Sequence, residues 1–313
     1  MIESLLQTLL NGAASGGVYA LVALGYTLVF SVLGVINFAL GALFTLGGYF
    51  TYLLMGGRIG VNGALPGWGL PVALPFAPAL LLAALAAGVV SLGVERLAFA
   101  PLRRRGAEPL LSLITSLGAG VVLVNLLQIL MGAEGYAFPA GADALAGLPE
   151  SLAIGGARIR TIQVLLLLVC AAAVVALTVW LERSRGGRAL RAVAEDFTTA
   201  RLLGIPSEAM VQLAFLLSGA LAGLGGGLIG LSVSLTGPYF GIGYGLKGLA
   251  VLVLGGLGSV PGAIAGGLLM GLAEALVPAE ASGWRDALAF AILFAVLLVR
   301  PTGLLGRRES EKV

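Results

Sequence analysis

Residues 162–182 read IQVLLLLVCAAAVVALTVWLE, and this stretch decides the class of fold. It carries no charged side chain before its last position, and about 20 apolar residues in a helix cross a hydrocarbon core about 30 Å thick. Comparable stretches recur along the chain, and we predict membrane spans at about 8–31, 36–55, 75–98, 109–131, 162–182, 209–232, 241–257, 260–277 and 285–300. The predicted fold class is therefore all-α, a polytopic membrane bundle of eight or nine helices.

The composition of the whole chain agrees with a membrane protein. Of 313 residues, 59% are hydrophobic and 11% are charged, and the mean hydropathy is +1.05. A soluble domain carries about 25% charged residues, and no segment here resembles one. We therefore expect a single transmembrane domain over residues 1–313, with the first helix retained in the mature protein. The 49 glycines favour close approach of helix backbones within it.

Arginine distribution predicts which loops face the cytoplasm, because short cytoplasmic loops are enriched in basic residues. Arginines cluster in three segments, which are 99–108, 183–208 and the tail with Arg307, Arg308 and Lys312. The connections 56–74 and 132–161 lack such an excess and should face outward. An even number of crossings must then separate 183–208 from the tail, so region 241–277 crosses twice and nine spans are favoured. The basic balance is thus a topology signal and does not indicate nucleic-acid binding.

A break divides region 241–277 at 255–262, which reads GGLGSVPG. Glycines and a proline end one helix and start another. At membrane depth, such a break must line a cavity or be buried in protein, and it would then be a candidate substrate contact. A short cytoplasmic turn explains the same residues equally well.

The connection 183–208 contains the most informative polar segment. Within it, 188–203 reads as one amphipathic helix that Gly204 and Pro206 end. Its apolar face comprises Leu190, Val193, Ala194 and Phe197, and its charged face comprises Arg188, Arg191 and Glu195. Such a helix either docks by its apolar face in a groove of a cytoplasmic partner or lies on the bilayer surface, and composition alone favours the bilayer.

Few polar side chains fall inside or beside the apolar spans. The charged ones are Glu95, Arg96, Lys247, Glu274, Arg285 and Asp286. Intramembrane ionisable groups are candidates for solute contact, although most of these lie near helix ends and can reach water. The amides of Asn11, Asn37 and Asn125 are expected to form interhelical hydrogen bonds.

Several classes of chemistry are excluded by residue types. The chain has no histidine and one cysteine, Cys170, so we predict no metal site, no cofactor and no catalytic residue. No glycine cluster is followed by the Gly-Lys-Ser/Thr of a phosphate-binding loop, and Lys247 and Lys312 are the only lysines. The protein is therefore not expected to be an enzyme, and any ATP hydrolysis that drives it belongs to another subunit.

Motifs along nearly the whole chain resemble the LivH-type permeases of branched-chain amino-acid ABC transporters. The matching blocks are NG at 11–12, GGVYALVALGYT at 16–27, INFA at 36–39 with Gly41, ERLAFAPLR at 95–103, PLLSLITSLG at 109–118, RALRAVAED at 188–196 with Ala200 and LGI at 203–205, GLKGLA at 245–250, VLGGLGSVPGA at 253–263, EA at 274–275 and RPTGLLGR at 300–307. One departure concerns the His-Gly-Glu that often follows Asn-Phe-Ala in the family, where this chain has Leu40, Gly41 and Ala42.

The resemblance implies an ABC importer in the prokaryotic cytoplasmic membrane. Its other components would be a second homologous permease, two cytoplasmic ATPase subunits and an extracytoplasmic substrate-binding protein. By the same resemblance, 188–205 is the coupling helix that receives motion from an ATPase. The residues expected to serve coupling are Arg188, Leu190, Arg191, Val193, Ala194, Glu195, Asp196, Phe197 and Gly204.

The solute pathway is expected to include residues of the broken region and isolated polar positions. The candidates are Asn37, Lys247, Gly255, Gly256, Gly258, Pro261 and Glu274. The expected solutes are leucine, isoleucine and valine, moved by alternating access, while a permease for urea or short-chain amides is the nearest alternative. An ion-coupled secondary transporter is a weaker one, because no matched pair of polar discontinuities is visible in the sequence.

Overall fold

The computed structural model describes residues 2–138, 151–154 and 157–306, so the tail residues Arg307, Arg308 and Lys312 lie outside the described part. The helices are α1 (Ile2–Leu33), α2 (Leu40–Leu54), α3 (Phe76–Val94), α4 (Ala100–Arg104), α5 (Pro109–Met131), α6 (Thr161–Arg183), α7 (Arg185–Glu195), α8 (Phe197–Leu202), α9 (Ser207–Val233), α10 (Phe240–Gly255), α11 (Val260–Ala275) and α12 (Arg285–Val299). A π-helical segment (Glu95–Phe99) joins α3 to α4, and a 3-10 helix (Ala279–Trp284) precedes α12.

The all-α bundle predicted from the sequence is confirmed. Within the described residues, a helix occupies each of the nine predicted spans. Five segments are long and apolar enough to cross a bilayer, namely Gln7–Leu33, Phe76–Arg104, Pro109–Met131, Thr161–Arg183 and Ser207–Val233. Helices α2, α10 and α11 are apolar but shorter, so the number of crossings stays a prediction.

Three features of the secondary structure differ from the sequence predictions. Helix α2 starts at Leu40 instead of 36, because Gly34 has a positive φ of 66° and a turn follows it. The predicted loop 99–108 is helical as far as Arg104, since the π-helical segment continues the α3 axis. In the outward connection 132–161, a small antiparallel hairpin pairs β1 (Ser151–Ile154) with β2 (Ala157–Arg160), a feature that apolar periodicity did not predict.

Two helix–turn–helix units, α1–α2 and α9–α10, run in opposite directions. Helices α1 and α9 are antiparallel, because a Cβ built on Gly25 would lie 3.1 Å from the Ser218 carbonyl oxygen and one on Gly225 would lie 3.3 Å from Val18. In each unit, the residue directly after the first helix has a positive φ, and this residue is Gly34 after α1 and Ser234 after α9. The second helices then meet at Gly41, whose Cβ would lie 3.1 Å from the Gly241 carbonyl oxygen.

Helix α1 forms the centre of the bundle and packs through small residues. A Cβ on Gly12 would lie 2.9 Å from the Leu272 Cα, and one on Gly16 would lie 3.0 Å from the Leu268 Cα, so α1 and α11 are antiparallel and nearly in backbone contact. Such close approach maximises van der Waals contact where lipid offers no hydrophobic driving force. Peripheral α5, in contrast, exposes large apolar side chains such as Val121 at 61%.

The antiparallel order defines which loops share one side. Helix α6 ends at Arg183 and leads through α7 and α8 into the start of α9, so this loop lies at the α9 N-terminus. The end of α1 and the start of α11 lie on that same side, because α9 and α11 both run opposite to α1. The turn between α10 and α11 therefore shares the arginine-rich side of the protein, which the positive-inside rule predicts to face the cytoplasm.

Candidate functional site

The cytoplasmic loop, residues 184–206, is built from two capped helices. The Ser184 hydroxyl accepts a hydrogen bond from the Gly187 backbone nitrogen at 2.8 Å and so caps α7. The Asp196 carboxylate accepts bonds from the backbone nitrogens of Thr198 and Thr199 at 2.8 and 2.9 Å and caps α8. Caps of this kind satisfy amides that the first helical turn leaves unpaired.

The prediction of one continuous helix over 188–203 is therefore wrong. Asp196 has an extended backbone, with φ of −156° and ψ of 109°, because its carboxylate replaces the helical hydrogen bonds of the residues that follow. The predicted helix stop is confirmed, since Gly204 has a φ of +84°, a conformation that glycine adopts without steric cost.

The apolar face of α7 packs inside the protein itself. Leu190 is 2% exposed and Val193 is 1% exposed, while Ala194 and Phe197 are partly buried against the same core. Leu190 and Val193 are therefore covered by the bundle and reach neither a partner nor the bilayer, while the coupling role of the loop stays a prediction. The contacts of these two residues join the loop rigidly to the bundle.

The surface of the loop that faces away from the bundle is charged, with two leucines at its end. Arg188, Arg191 and Glu195 are exposed, as predicted for that face of α7. Leu202 and Leu203, which the sequence analysis missed, are 82% and 76% exposed. Only the folded loop shows this, because their spacing alone does not distinguish an exposed leucine from a core leucine.

An ion-pair network connects the loop to the preceding cytoplasmic segment. The Arg103 Nη2 atom lies 2.9 Å from Glu95 Oε1 and 2.9 Å from Glu208 Oε2. Glu95 is fully buried, whereas Glu208 is about half exposed and stands in the first turn of α9, directly after the loop. Arg103 thus holds the loop end and the π-helical segment together.

A second polar cluster lies among α1, α10, α11 and α12. The Lys247 ammonium nitrogen is 3.0 Å from Glu274 Oε1 and 2.8 Å from Asp286 Oδ1. The Tyr19 hydroxyl donates a 2.6 Å hydrogen bond to Glu274 Oε2, and Lys247 donates a longer one to that hydroxyl. The fold thus brings together Lys247 and Glu274, two of the predicted pathway residues.

This cluster forms part of a cavity of about 400 Å³, which we call the outward cavity. It opens on the side opposite the cytoplasmic loop, since Arg160 at the start of α6 and Arg285 at the start of α12 line it. Its other lining residues are Thr8, Asn11, Ala14, Ser15, Tyr19, Gln163, Leu166, Ile229, Ser232, Val233, Tyr244, Lys247, Gly271, Glu274, Ala275 and Asp286. Its volume is within the range of small-molecule sites, about 300 to 1,000 Å³.

A smaller cavity of about 220 Å³ lies where α2 and α10 begin, against α5. Its walls are largely apolar and include Phe38, Val121 and Ile242. Asn125 also lines it, but that amide donates to the Val121 carbonyl of its own helix at 2.8 Å. The prediction of an interhelical bond is therefore wrong for Asn125.

The remaining predicted pathway residues lie elsewhere. Asn37 is buried in the turn before α2, where its carbonyl accepts from the Ala39 backbone nitrogen at 3.1 Å. Four others lie where α10 meets α11: Gly255 ends α10, Gly256 and Gly258 form the turn, and Pro261 is the second residue of α11. Backbone amides of Leu304 and Leu305 cap that turn by donating to the carbonyls of Leu254 and Gly255, at 2.8 and 2.9 Å. These five stay predictions as pathway residues.

Within residues 2–138, 151–154 and 157–306, no group of three or more His, Cys, Asp or Glu side chains is placed to hold a metal ion. Cys170 is 1% exposed, and its Cβ would lie 2.9 Å from a Cβ on Gly17. It therefore fills a close contact between α6 and α1.

A bundle of apolar helices with a capped cytoplasmic loop and an outward polar cavity defines a multi-pass membrane transport protein. Residues 8–297 match the family described as branched-chain amino acid transport system / permease component, and the chain belongs to that family. The resemblance seen in the sequence is thereby confirmed.

Named relatives match along most of their length. The chain is 38% identical to the high-affinity branched-chain amino acid transport system permease protein LivH of Escherichia coli (strain K12), over 98% of this chain and 97% of LivH. It is equally similar to the corresponding protein BraD of Pseudomonas aeruginosa, over 98% of each chain. A probable LivH permease of Methanocaldococcus jannaschii is 29% identical over 91% of this chain and 88% of its own length.

Proposed function

We propose that this chain is the membrane-spanning permease subunit of an ATP-driven ABC importer that moves leucine, isoleucine and valine across the prokaryotic cytoplasmic membrane. The observation that carries the proposal is the 38% identity to LivH and BraD over 98% of the chain. The chain serves transport and leaves ATP hydrolysis to two cytoplasmic ATPase subunits. A second homologous permease and an extracytoplasmic binding protein complete the importer.

The cytoplasmic loop supplies the contact with an ATPase subunit. Its inner face is fixed to the bundle by Leu190 and Val193, while its outer face exposes Arg188, Arg191 and Leu203. A partner that binds this outer face moves α6 and α9 together with the loop, because the loop is continuous with both helices. Rigid coupling of this type converts closure of two ATPases into a switch between outward and inward access.

Two alternatives make different demands on the structure. A secondary transporter requires no ATPase, so nothing in its mechanism would need an exposed charged loop with Leu202 and Leu203 at its end. A permease for urea or short-chain amides would share the fold. The names of the relatives favour branched-chain amino acids over those solutes.

Reconstituted uptake tests this function. Proteoliposomes contain this chain, its partner permease and the ATPases, with binding protein outside and ATP inside, and uptake of labelled leucine is measured. Uptake should require every component and should fall in Arg191→Glu and Leu203→Asn variants. The matched control is Leu257→Asn, since Leu257 is a 47% exposed leucine on the same side, in the α10–α11 turn.

ATP hydrolysis is measured on assembled complexes, so that a loss of coupling is distinguished from a loss of assembly. We expect complexes carrying Arg191→Glu or Leu203→Asn to lose stimulation of ATP hydrolysis by the loaded binding protein, while the control retains it. Uptake by this chain alone, driven by an ion gradient without ATP, would refute the importer assignment. Uptake of labelled urea in preference to leucine would refute the solute assignment alone.

A further inference from the structure

The outward cavity has polar groups that the fold leaves without partners. Within the described residues, the side-chain carbonyl oxygens of Asn11 and Gln163 are buried and accept no hydrogen bond. Both residues line the cavity, one on α1 and the other on α6. A buried acceptor without a donor costs free energy of about 1–3 kcal/mol, so these two oxygens indicate a missing donor.

A charged acceptor lies in the same cavity. Glu274 is 6% exposed. One of its carboxylate oxygens accepts a hydrogen bond from the Tyr19 hydroxyl, and the other lies 3.0 Å from the Lys247 ammonium nitrogen. Asp286 supplies a second carboxylate, also beside Lys247. Two carboxylates flank this one lysine, so the cluster has negative charge to share with a further cation.

Cationic side chains lie at the opening of the cavity. Arg160 and Arg285 are exposed there and belong to different elements, β2 and α12. Guanidinium groups bind carboxylates in a planar, two-point geometry. Leu166, Ile229 and Ala14 form an apolar wall about one helical turn further from the opening than Gln163, Val233 and Asn11.

We propose that the outward cavity binds the transported amino acid as a zwitterion. On binding, the side chains of Asn11 and Gln163 turn toward the cavity and, together with Glu274, accept hydrogen bonds from its ammonium group, which carries three donors. Arg160 and Arg285 hold its carboxylate at the opening, and its aliphatic side chain lies on the apolar wall. The identity of the solute rests on the proposed function, whereas the charge pattern rests on the cavity alone.

The smaller cavity offers no comparable site for a zwitterion. Its walls are apolar, and the side-chain amide of Asn125 already donates to its own helix. An ammonium or carboxylate group moved there would lose its hydration without charged partners in exchange, which is costly. A substitution of Asn125 is therefore a control for the loss of an intramembrane amide outside the outward cavity.

Solute protection of an engineered cysteine tests the proposal in the assembled importer. Cys170→Ala removes the single native cysteine, and Ser232→Cys places a thiol in the cavity wall. The complex is held in nanodiscs without nucleotide, and the rate of maleimide labelling is measured against leucine concentration. Leucine should slow labelling, whereas 4-methylpentanoate, which is leucine without its ammonium group, should not.

Variants of the acceptors report on the ammonium contact. In the same background, Gln163→Met and Asn11→Leu should each raise the leucine concentration for half-maximal protection about tenfold, which corresponds to about 1.4 kcal/mol. Asn125→Leu should leave it unchanged. Circular dichroism and complex assembly verify that each variant folds.

Three results decide the proposal, and the first and third of them separate it from the proposed function. If leucine gives no protection although the importer takes up leucine, the cavity is not the solute site and the importer assignment stands. Equal protection by 4-methylpentanoate would overturn the ammonium assignment. Protection by leucine in an importer that transports no branched-chain amino acid would support the zwitterion site and overturn the proposed function.

Discussion

Replacing Arg103 by methionine should destabilise the protein through Glu95, and the size of the effect follows from burial. Glu95 is fully buried, and its Oε1 atom lies 2.9 Å from the Arg103 guanidinium. Arg103→Met leaves that carboxylate without its cation, and breaking a buried ion pair costs about 3–5 kcal/mol. Glu208→Gln is the matched control, because Glu208 has the same distance to Arg103 but is 46% exposed. Exposed pairs contribute about 0–1 kcal/mol.

The free energy of unfolding in mixed micelles measures these differences. The double variant Arg103→Met with Glu95→Gln removes both buried charges, so it should recover most of the stability that Arg103→Met loses. If Arg103→Met lowers the free energy of unfolding no more than Glu208→Gln does, the buried ion pair does not stabilise the protein by the amount expected from its burial. If the double variant is as unstable as Arg103→Met, the loss comes from packing and not from an unpaired charge.

Two further predictions concern helix contacts and caps. Gly47→Ala should lower the melting temperature because its Cβ would overlap the Gly223 backbone, whereas Gly93→Ala, with no atom within 4 Å, should not lower it. An equal effect at both positions would argue against backbone contact between α2 and α9. Asp196→Ala should cost about 1 kcal/mol through loss of the α8 cap, while Asp196→Asn, which keeps an acceptor, should lose less. Equal losses in urea or detergent unfolding would contradict the capping role.

Much of the fold was predictable because the signals are local. Apolar runs such as 162–182 predict helices from composition alone, since every backbone amide in lipid must be satisfied within its own segment. The start of α8 was not predicted, although Asp196 was a visible signal, because aspartate is among the residues preferred at helix N-caps. The helical pattern across 188–203 obscured it.

The candidate site was only partly predictable. Lys247 and Glu274 were identified one by one as intramembrane charges, but their contact with Asp286 depends on how α10, α11 and α12 pack. Asn11 was expected to bind another helix, yet its side-chain oxygen is buried beside the outward cavity and accepts no hydrogen bond. A buried hydrogen-bond deficit is a property of neighbours in space, so one sequence cannot reveal it.

The opposed units α1–α2 and α9–α10 were likewise visible in the structure and not in the sequence. No matched polar discontinuity was visible in the sequence, but the structure shows two turns, after Gly34 and before Phe240, that bring Gly41 and Gly241 together. Their likeness lies in backbone conformation, and the residues of the two turns differ.

The sequence by itself determined that this protein is a helical membrane permease, which loops carry its arginines and which family it belongs to. These properties follow from hydrophobicity and motif order, which each segment carries independently of the others. Only the tertiary structure decided that the apolar face of α7 is buried, that Leu202 and Leu203 are exposed, and that distant charges share one cavity. Those outcomes depend on which surfaces are removed from water or lipid when the helices pack, and burial is settled between segments.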